Sequence, residues 1–272
     1  MSSHAAYLRH FEAYEPELEK WRLRAQELEK PEPGSDLHED NKAFLHPISD
    51  EARLSLISAG EHLRLAWTAI KAKELYPSAH FTTLRGALVA ASQAVYILGP
   101  TDSATRRGRG LAVIVESNKR LRQYHAECLR MPGLTDSDVQ KIQQQLNWLN
   151  ERIDGARAAG AQKMGVNVSD QVIPYAAALV FDSKPDLQHT LMLLWRQMSG
   201  DAHALAWALT LRAQLDPPKE GQILSTGTVG GSLQDIAEPF EGAFRILKRG
   251  WSLFDQRCRA EEHRFAEERM SG

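Results

Sequence analysis

The sequence predicts an all-α protein, a multi-helix bundle of seven to eight helices joined by short turns. Three observations lead there. Apolar residues recur at helical spacing along most of the chain, each such run is bounded by proline, glycine or a capping side chain, and no stretch alternates apolar with polar residues as a half-buried strand does.

Residues 5–29 form a charged helix stopped by Pro31, Pro33 and Gly34, and a polar linker follows to about His46. From Ser49 or Asp50, either able to cap, Leu54, Ile57, Leu63, Trp67 and Ile70 repeat at helical spacing until Pro77. Residues 79–98 are apolar over most of their circumference. Ala87, Ala90, Ala91 and Ala94 allow close approach there, so this is a central buried helix ended by Gly99 and Pro100. A third long helix covers 101–129 and is closed by Met131, Pro132 and Gly133. Thr135 and Asp138 have the form of a capping box for a polar surface helix running to about Ala159. Ser169 or Asp170 caps a short apolar helix through Phe181, and Ser183 with Pro185 opens a helix that continues to Leu209. Residues 216–232 are the stretch richest in Gly, Pro, Ser and Thr, a long loop able to hold a small hairpin. The last helix runs from Leu233 to about Arg269. The organisation expected is an N-terminal helix and linker (1–48), a helical core (49–213), and a loop with a C-terminal helix (214–272) packed on the same domain.

A chain of 272 residues buries a substantial core, and 43% hydrophobic with 25% charged residues is ordinary globular usage. The net charge of −2 excludes the global basic excess of proteins that coat nucleic acid, so any such contact uses a local patch. Cys128 and Cys258 are far apart and outside metal-binding spacing, which suits a reducing compartment. The first residues lack the basic start and apolar run of a signal peptide, and no apolar segment approaches the ~20 residues that span a bilayer. A cytoplasmic protein without a membrane partner is expected. Phosphate-binding loop, H-E-x-x-H, paired C-x-x-C, G-x-S-x-G and Glu-x-x-His signatures are all missing, which removes most support from NTPase, zinc-hydrolase and di-iron readings. His38 and His46 lie at irregular spacing in a loop and are not read as a metal site.

Chemistry concentrates in residues 187–209. Written as one helix, Leu187, Leu191, Leu194, Met198, Leu205 and Leu209 fall on one side, and His189, Arg196, Ser199, His203 and Trp207 on the other. The polar face repeats every seven residues, placing an imidazole two turns to either side of Arg196, ~10 Å along the axis. The Arg196-to-His203 spacing, late in an all-α chain, resembles the HEPN superfamily, whose helical bundles carry an Arg and a His on one helix with four to six residues between them; here there are six. Arg120 with His125 and Arg257 with His263, with four and five residues between them, also fall in that range; the apolar stripe opposite singles out Arg196 and His203. Family members usually place Asn, Asp or His after the arginine, where this chain has Gln197.

The resemblance implies a HEPN-like core over about residues 50–213. It also implies a metal-independent endoribonuclease without cofactor that works as a homodimer, as a toxin or defence effector, with RNA as substrate and a cognate antitoxin or other protein as partner. Arg196 and His203 would be catalytic, the guanidinium binding the scissile phosphate and the imidazole moving the proton of the ribose 2′-OH. Ser199, Trp207 and His189 would bind substrate by positioning a phosphate or stacking a base. Residues 101–131 add a local patch, seven cations including Arg106, Arg107 and Arg109 against three anions, net +4. Such a patch grips phosphates, or is a solvated face paired to acidic neighbours. The alternative for the whole chain is a non-catalytic helical binding module in which Arg196 and His203 are buried braces.

Overall fold

The computed structural model describes residues 3–217 and 226–260. It is all-α, with eleven α-helices and one pair of two-residue strands among the described residues. The chain forms two compact units that interleave along the sequence.

The first unit comprises Met1–Leu28, Ser55–Val95 and Ile173–Trp251. Its first expected helix is two, α1 (Ser3–Glu12) and α2 (Glu15–Arg24). Pro16 has no N–H and its ring crowds the carbonyl four residues back, so the helix restarts there. α4 (Ile48–Lys71), which enters this unit at Ser55, ends several residues short of Pro77. Lys73 adopts a left-handed φ of 62°, the Lys73 N–H bonds the Ile70 carbonyl, and the Glu74 N–H reaches back to Ala69. α5 (Ala79–Leu98) has the expected bounds and is core, with Phe81, Leu84, Ala87, Leu88, Ala91 and Ala94 buried. Among the described residues it is also the one helix long and apolar enough to cross a membrane, with a mean hydropathy of 1.2, contrary to the expectation that no segment comes close. Some 61% of that stretch is buried inside the protein, as in a core helix.

α8 (Ile173–Val180), α9 (Pro185–Ala202), α10 (Ala206–Thr210) and most of α11 (Leu233–Cys258) complete this unit. Ser232 and Asp235 cap α11 reciprocally. An aromatic cluster, Phe11, Trp21, Trp67, Phe240 and Phe244, fills the space between α1, α2, α4 and α11. The loop expected to hold a small hairpin is flanked by Gln214–Leu215 paired antiparallel with Gly227–Thr228, and its residues 218–225 lie outside the described residues. So do residues 261–272, including the expected end of the last helix and His263.

The second unit comprises Glu29–Leu54, Tyr96–Val172 and Ser252–Gly272. α3 (Asp36–Asn41), expected as linker, forms because Ser35 accepts the His38 N–H at 3.3 Å. α6 (Ser103–Cys128) is capped by Asp102, and α7 (Asp136–Ala158) by the Thr135–Asp138 capping box read from the sequence. Gly160, at φ +107°, closes α7: its N–H bonds the Arg157 carbonyl, and the Ala161 N–H bonds that of Ala156. A π-helical turn, Val168–Val172, follows. Leu37, Ile48, Leu111, Ile114, Leu149 and Ile153 form the core. Gly110 sits where a Cβ would stand 2.7 Å from Ile48, so only glycine permits that approach.

Candidate functional site

α9 begins at Pro185, whose fixed φ suits a first helical position, and sorts its side chains as a two-faced helix should. Leu191, Trp195 and Met198 are buried, while His189 and Arg196 are exposed. The apolar stripe is narrower than expected. Leu194 and Leu209 are half-buried, and Leu187 and Leu205 are exposed at the two ends.

The helix does not continue to Leu209, which corrects the sequence reading. It stops at Ala202, His203 is the C-cap residue, and Ala204 takes a left-handed φ of 55°. The Ala204 N–H bonds the Asp201 carbonyl at 3.0 Å and the Leu205 N–H bonds Gly200 at 2.9 Å, the double bond pattern that closes a helix on a left-handed residue. His203 still donates its N–H to the Ser199 carbonyl at 3.1 Å, so its Cα stays on the helical path. Arg196 and His203 therefore keep a common side two turns apart, and both are exposed. Neither is the buried brace of the alternative reading.

The reversal changes what lies between them. Gly200 is four residues after Arg196 and three before His203, on the same stripe. A Cβ there would stand 2.7 Å from Trp207 Cζ2 and 2.8 Å from Ala208 Cβ. Trp207 reaches the stripe because α10 folds back onto α9, instead of extending one turn beyond His203 as a continuous helix would place it. Trp207 is 46% exposed and its indole lies against α9 at Gly200.

Sequence spacing missed two cations, of which one joins the edge. Arg85, from α5, donates Nε–H to Ser199 Oγ at 3.0 Å. Among the described residues neither Arg85 nor Arg196 pairs with a carboxylate. Ser199 lies one turn after Arg196 and one before His203, so Arg85, Arg196 and His203 all neighbour it. Arg212 is different: its Nη2 reaches Asp201 at 2.5 Å and the Pro77 carbonyl at 2.9 Å, with the guanidinium 3.8 Å over Phe81. Asp201 also accepts from Ser78 at 3.2 Å. This buried pair fixes the turn after α9 and neutralises the Asp201 carboxylate. His80 is buried nearby in sequence on α5, where burial holds its imidazole below the ordinary range. His189 stands alone, exposed two turns before Arg196.

The arginine patch of residues 101–131 belongs to the second unit and divides into different roles. Arg106 is corrected outright as a substrate-binding residue. It is 2% exposed, its Nε donates to Asp40 at 2.6 Å, and its Nη1 donates to the Thr101 and Pro100 carbonyls at 2.7 and 3.2 Å. Arg257 joins this cluster through Asp36 at 2.7 Å. Arg109 donates to the Tyr96 carbonyl at 3.0 Å and stacks 4.3 Å over the Tyr96 ring, and Arg107 is half-buried. Arg120 and Arg130 pair with Glu116 and Glu127. The sequence motif thus describes mostly helix-to-helix bracing and local ion pairs. Elsewhere in this unit His46 receives a hydrogen bond from Arg152 at 3.1 Å and faces the buried Glu51 at 3.7 Å. Burial and then the Arg152 charge push the His46 imidazole below its usual range, and burial pushes the Glu51 carboxyl up.

Compared with family models, curated proteins and solved structures, the chain matches none.

Proposed function

We propose that the exposed edge of α9 binds the phosphodiester backbone of RNA and cleaves it in the manner of the HEPN superfamily, with Arg196 holding phosphate and His203 moving protons. The observation that supports this is the absence, among the described residues, of any carboxylate pairing with the two guanidinium groups beside Ser199. An exposed and a half-buried arginine, neither paired with a carboxylate among the described residues, with an imidazole one turn beyond Ser199, suit an anion, and bidentate guanidinium contacts favour phosphate. Trp207 supplies a stacking surface in the gap. In the reaction the ribose O2′ attacks phosphorus, the 5′ oxygen leaves, and the products are a 2′,3′-cyclic phosphate and a 5′-hydroxyl. His203 accepts the 2′ proton and a protonated imidazole returns one to the leaving oxygen. The guanidinium groups of Arg196 and the half-buried Arg85 stabilise the charge that builds on the phosphoryl oxygens.

The test is incubation of the purified chain with single-stranded RNA beside His203→Ala, Arg196→Ala and Arg85→Ala. Expected are loss of cleavage in His203→Ala with affinity little changed, and weaker binding in each arginine variant with a salt-dependence slope reduced by about one unit. Cleavage equal to the parent in His203→Ala overturns the catalytic assignment. Binding without cleavage by the parent establishes the non-catalytic binding module instead, and no binding overturns both.

A further inference from the structure

In the first unit α2 and α4 flank a groove that the reading of α9 does not use. Lys71 of α4 reaches across it to Glu15 of α2 at one end. Toward the other end Arg22 turns to Glu19 on its own helix, Nε–H donating at 2.7 Å, and the groove opens into a cavity of about 240 Å³. The apolar wall is formed by Trp21 of α2, Leu56 of α4 and Trp251 of α11, all buried. The polar wall is Glu61 and Arg64 of α4.

Gly60, on the same face of α4, lines this cavity. A glycine inside a helix is less stable than alanine, and a close neighbour normally accounts for it. The other helical glycines of this unit have such a neighbour: an added Cβ would stand 2.8 Å from His62 at Gly86, 2.7 Å from Trp207 at Gly200, 2.8 Å from Leu191 at Gly242 and 2.6 Å from Leu56 at Gly250. At Gly60 the nearest atom is Leu247 Cδ2 at 4.0 Å. Packing therefore does not call for glycine here, and a side chain at this position would enter the cavity.

The polar wall carries both signs of charge. Glu61 and Arg64 stand one turn apart, and among the described residues neither forms a hydrogen bond or an ion pair. The charge of Arg64 is felt at Glu19, but that carboxylate is already held by Arg22. Glu61 is exposed and Arg64 half-buried, so the charges sit at the mouth and the apolar wall lies behind them. Arg24, 4.3 Å over the Trp251 ring, braces that indole. A simple anion would be repelled by Glu61 and a simple cation by Arg64, whereas a molecule carrying ammonium and carboxylate close together satisfies both. At about 20–30 Å³ per non-hydrogen atom the cavity holds roughly 8–12 of them, the size of a free amino acid between leucine and phenylalanine. We infer that this cavity binds a free α-amino acid with an apolar side chain, its carboxylate on Arg64, its ammonium on Glu61 and its side chain against Trp21 and Trp251. Charged contacts at a solvent-facing mouth are weak, so dissociation constants are of order 0.1–1 mM.

Isothermal titration of the full chain with L-leucine and L-phenylalanine tests this. Saturable one-to-one binding is expected, with glycine, 3-methylbutylamine and 4-methylpentanoate each weaker by about tenfold or more. Arg64→Gln and Glu61→Gln each weaken L-leucine by about fivefold or more while the melting temperature stays at the parent value. Gly60→Leu fills the cavity and abolishes binding. Gly60→Ala melts about 2–4 °C higher than the parent, because alanine is the better helix former and meets no neighbour. Should Gly60→Leu not fold, the two charge variants decide. No saturable binding up to about 10 mM, an amine or acid analogue bound as tightly as L-leucine, or parent affinity in Arg64→Gln or Glu61→Gln overturns the inference. None of these residues lies on the α9 edge, so RNA cleavage by the same variants is expected at the parent rate and the two readings stand or fall separately.

Discussion

Replacing Asp40 with Ala examines whether the arginine-rich segment is a phosphate patch or a buried brace. Asp40 is fully buried and takes hydrogen bonds from Arg106 Nε and the Ser103 hydroxyl. Without it the Arg106 guanidinium stays buried with two backbone carbonyls and one remaining carboxylate, Asp36, at 3.9 Å. Leaving one partner of a buried pair uncompensated costs about 3–5 kcal/mol, and the surviving acceptors place this case near 3. That is a large part of the total stability of about 5–15 kcal/mol expected for a folded protein. With a urea dependence of about 3 kcal/mol/M, the midpoint of unfolding followed by circular dichroism falls by about 1 M. The double variant Asp40→Ala, Arg106→Met removes the orphaned charge and recovers most of the loss. Arg106→Met also leaves RNA affinity at the parent value. A loss below about 1 kcal/mol in Asp40→Ala, or a double variant as unstable as the sum of the singles, refutes the reasoning.

Three further outcomes follow from the geometry. Gly200→Ala gains about 1 kcal/mol of helix propensity but drives a methyl into Trp207 and Ala208, and overpacking costs about 1–3 kcal/mol, so the variant melts lower than the parent and binds RNA less well; a higher melting temperature would show that α10 does not lie on α9. Ala204→Gly relieves a left-handed alanine and stabilises by about 1 kcal/mol, a rise of about 2–4 °C in melting temperature, whereas a continuous helix through this position predicts a fall. His46 and His80 have imidazoles held below the ordinary range, so the folded state stays neutral where the unfolded chain takes up protons. Stability is complete above the ordinary imidazole value of about 6.5 and declines as pH falls below it toward the depressed values. Glu51, pushed up, acts in the opposite direction from the ordinary carboxyl value upward. Denaturant titrations at stepped pH check this, and a decline below pH 6.5 as steep in His46→Gln as in the parent removes His46 from the account.

Much of the helical content was legible because its signals are local. The Thr135–Asp138 box and the Gly99–Pro100 stop act within a turn or two of the chain, and α5 and the start of α7 have the bounds their residues announce. Pro16 was an equally local signal, a break inside an otherwise periodic run. The turn at Ala204 carried none. Asp201–Leu209 reads as good helix, and what ends it is that Gly200 admits Trp207 and Ala208 while Asp201 is held by Arg212 and Ser78. Those partners are far apart in sequence or hidden by a missing side chain, and spacing rules do not register them.

The candidate edge shows the same division. Periodicity put Arg196 and His203 on one outward side, since that requires only the helix repeat and an apolar stripe opposite. The sequence alone determined the helical class, the main capping sites and this outward facing. Tertiary structure decided which charges are free: it buried Arg106 against Asp40, brought Arg85 to Ser199, and swung Trp207 back over Gly200. The reason is that a helix is written in contacts three and four residues apart, while the state of a charge depends on what distant segments place beside it.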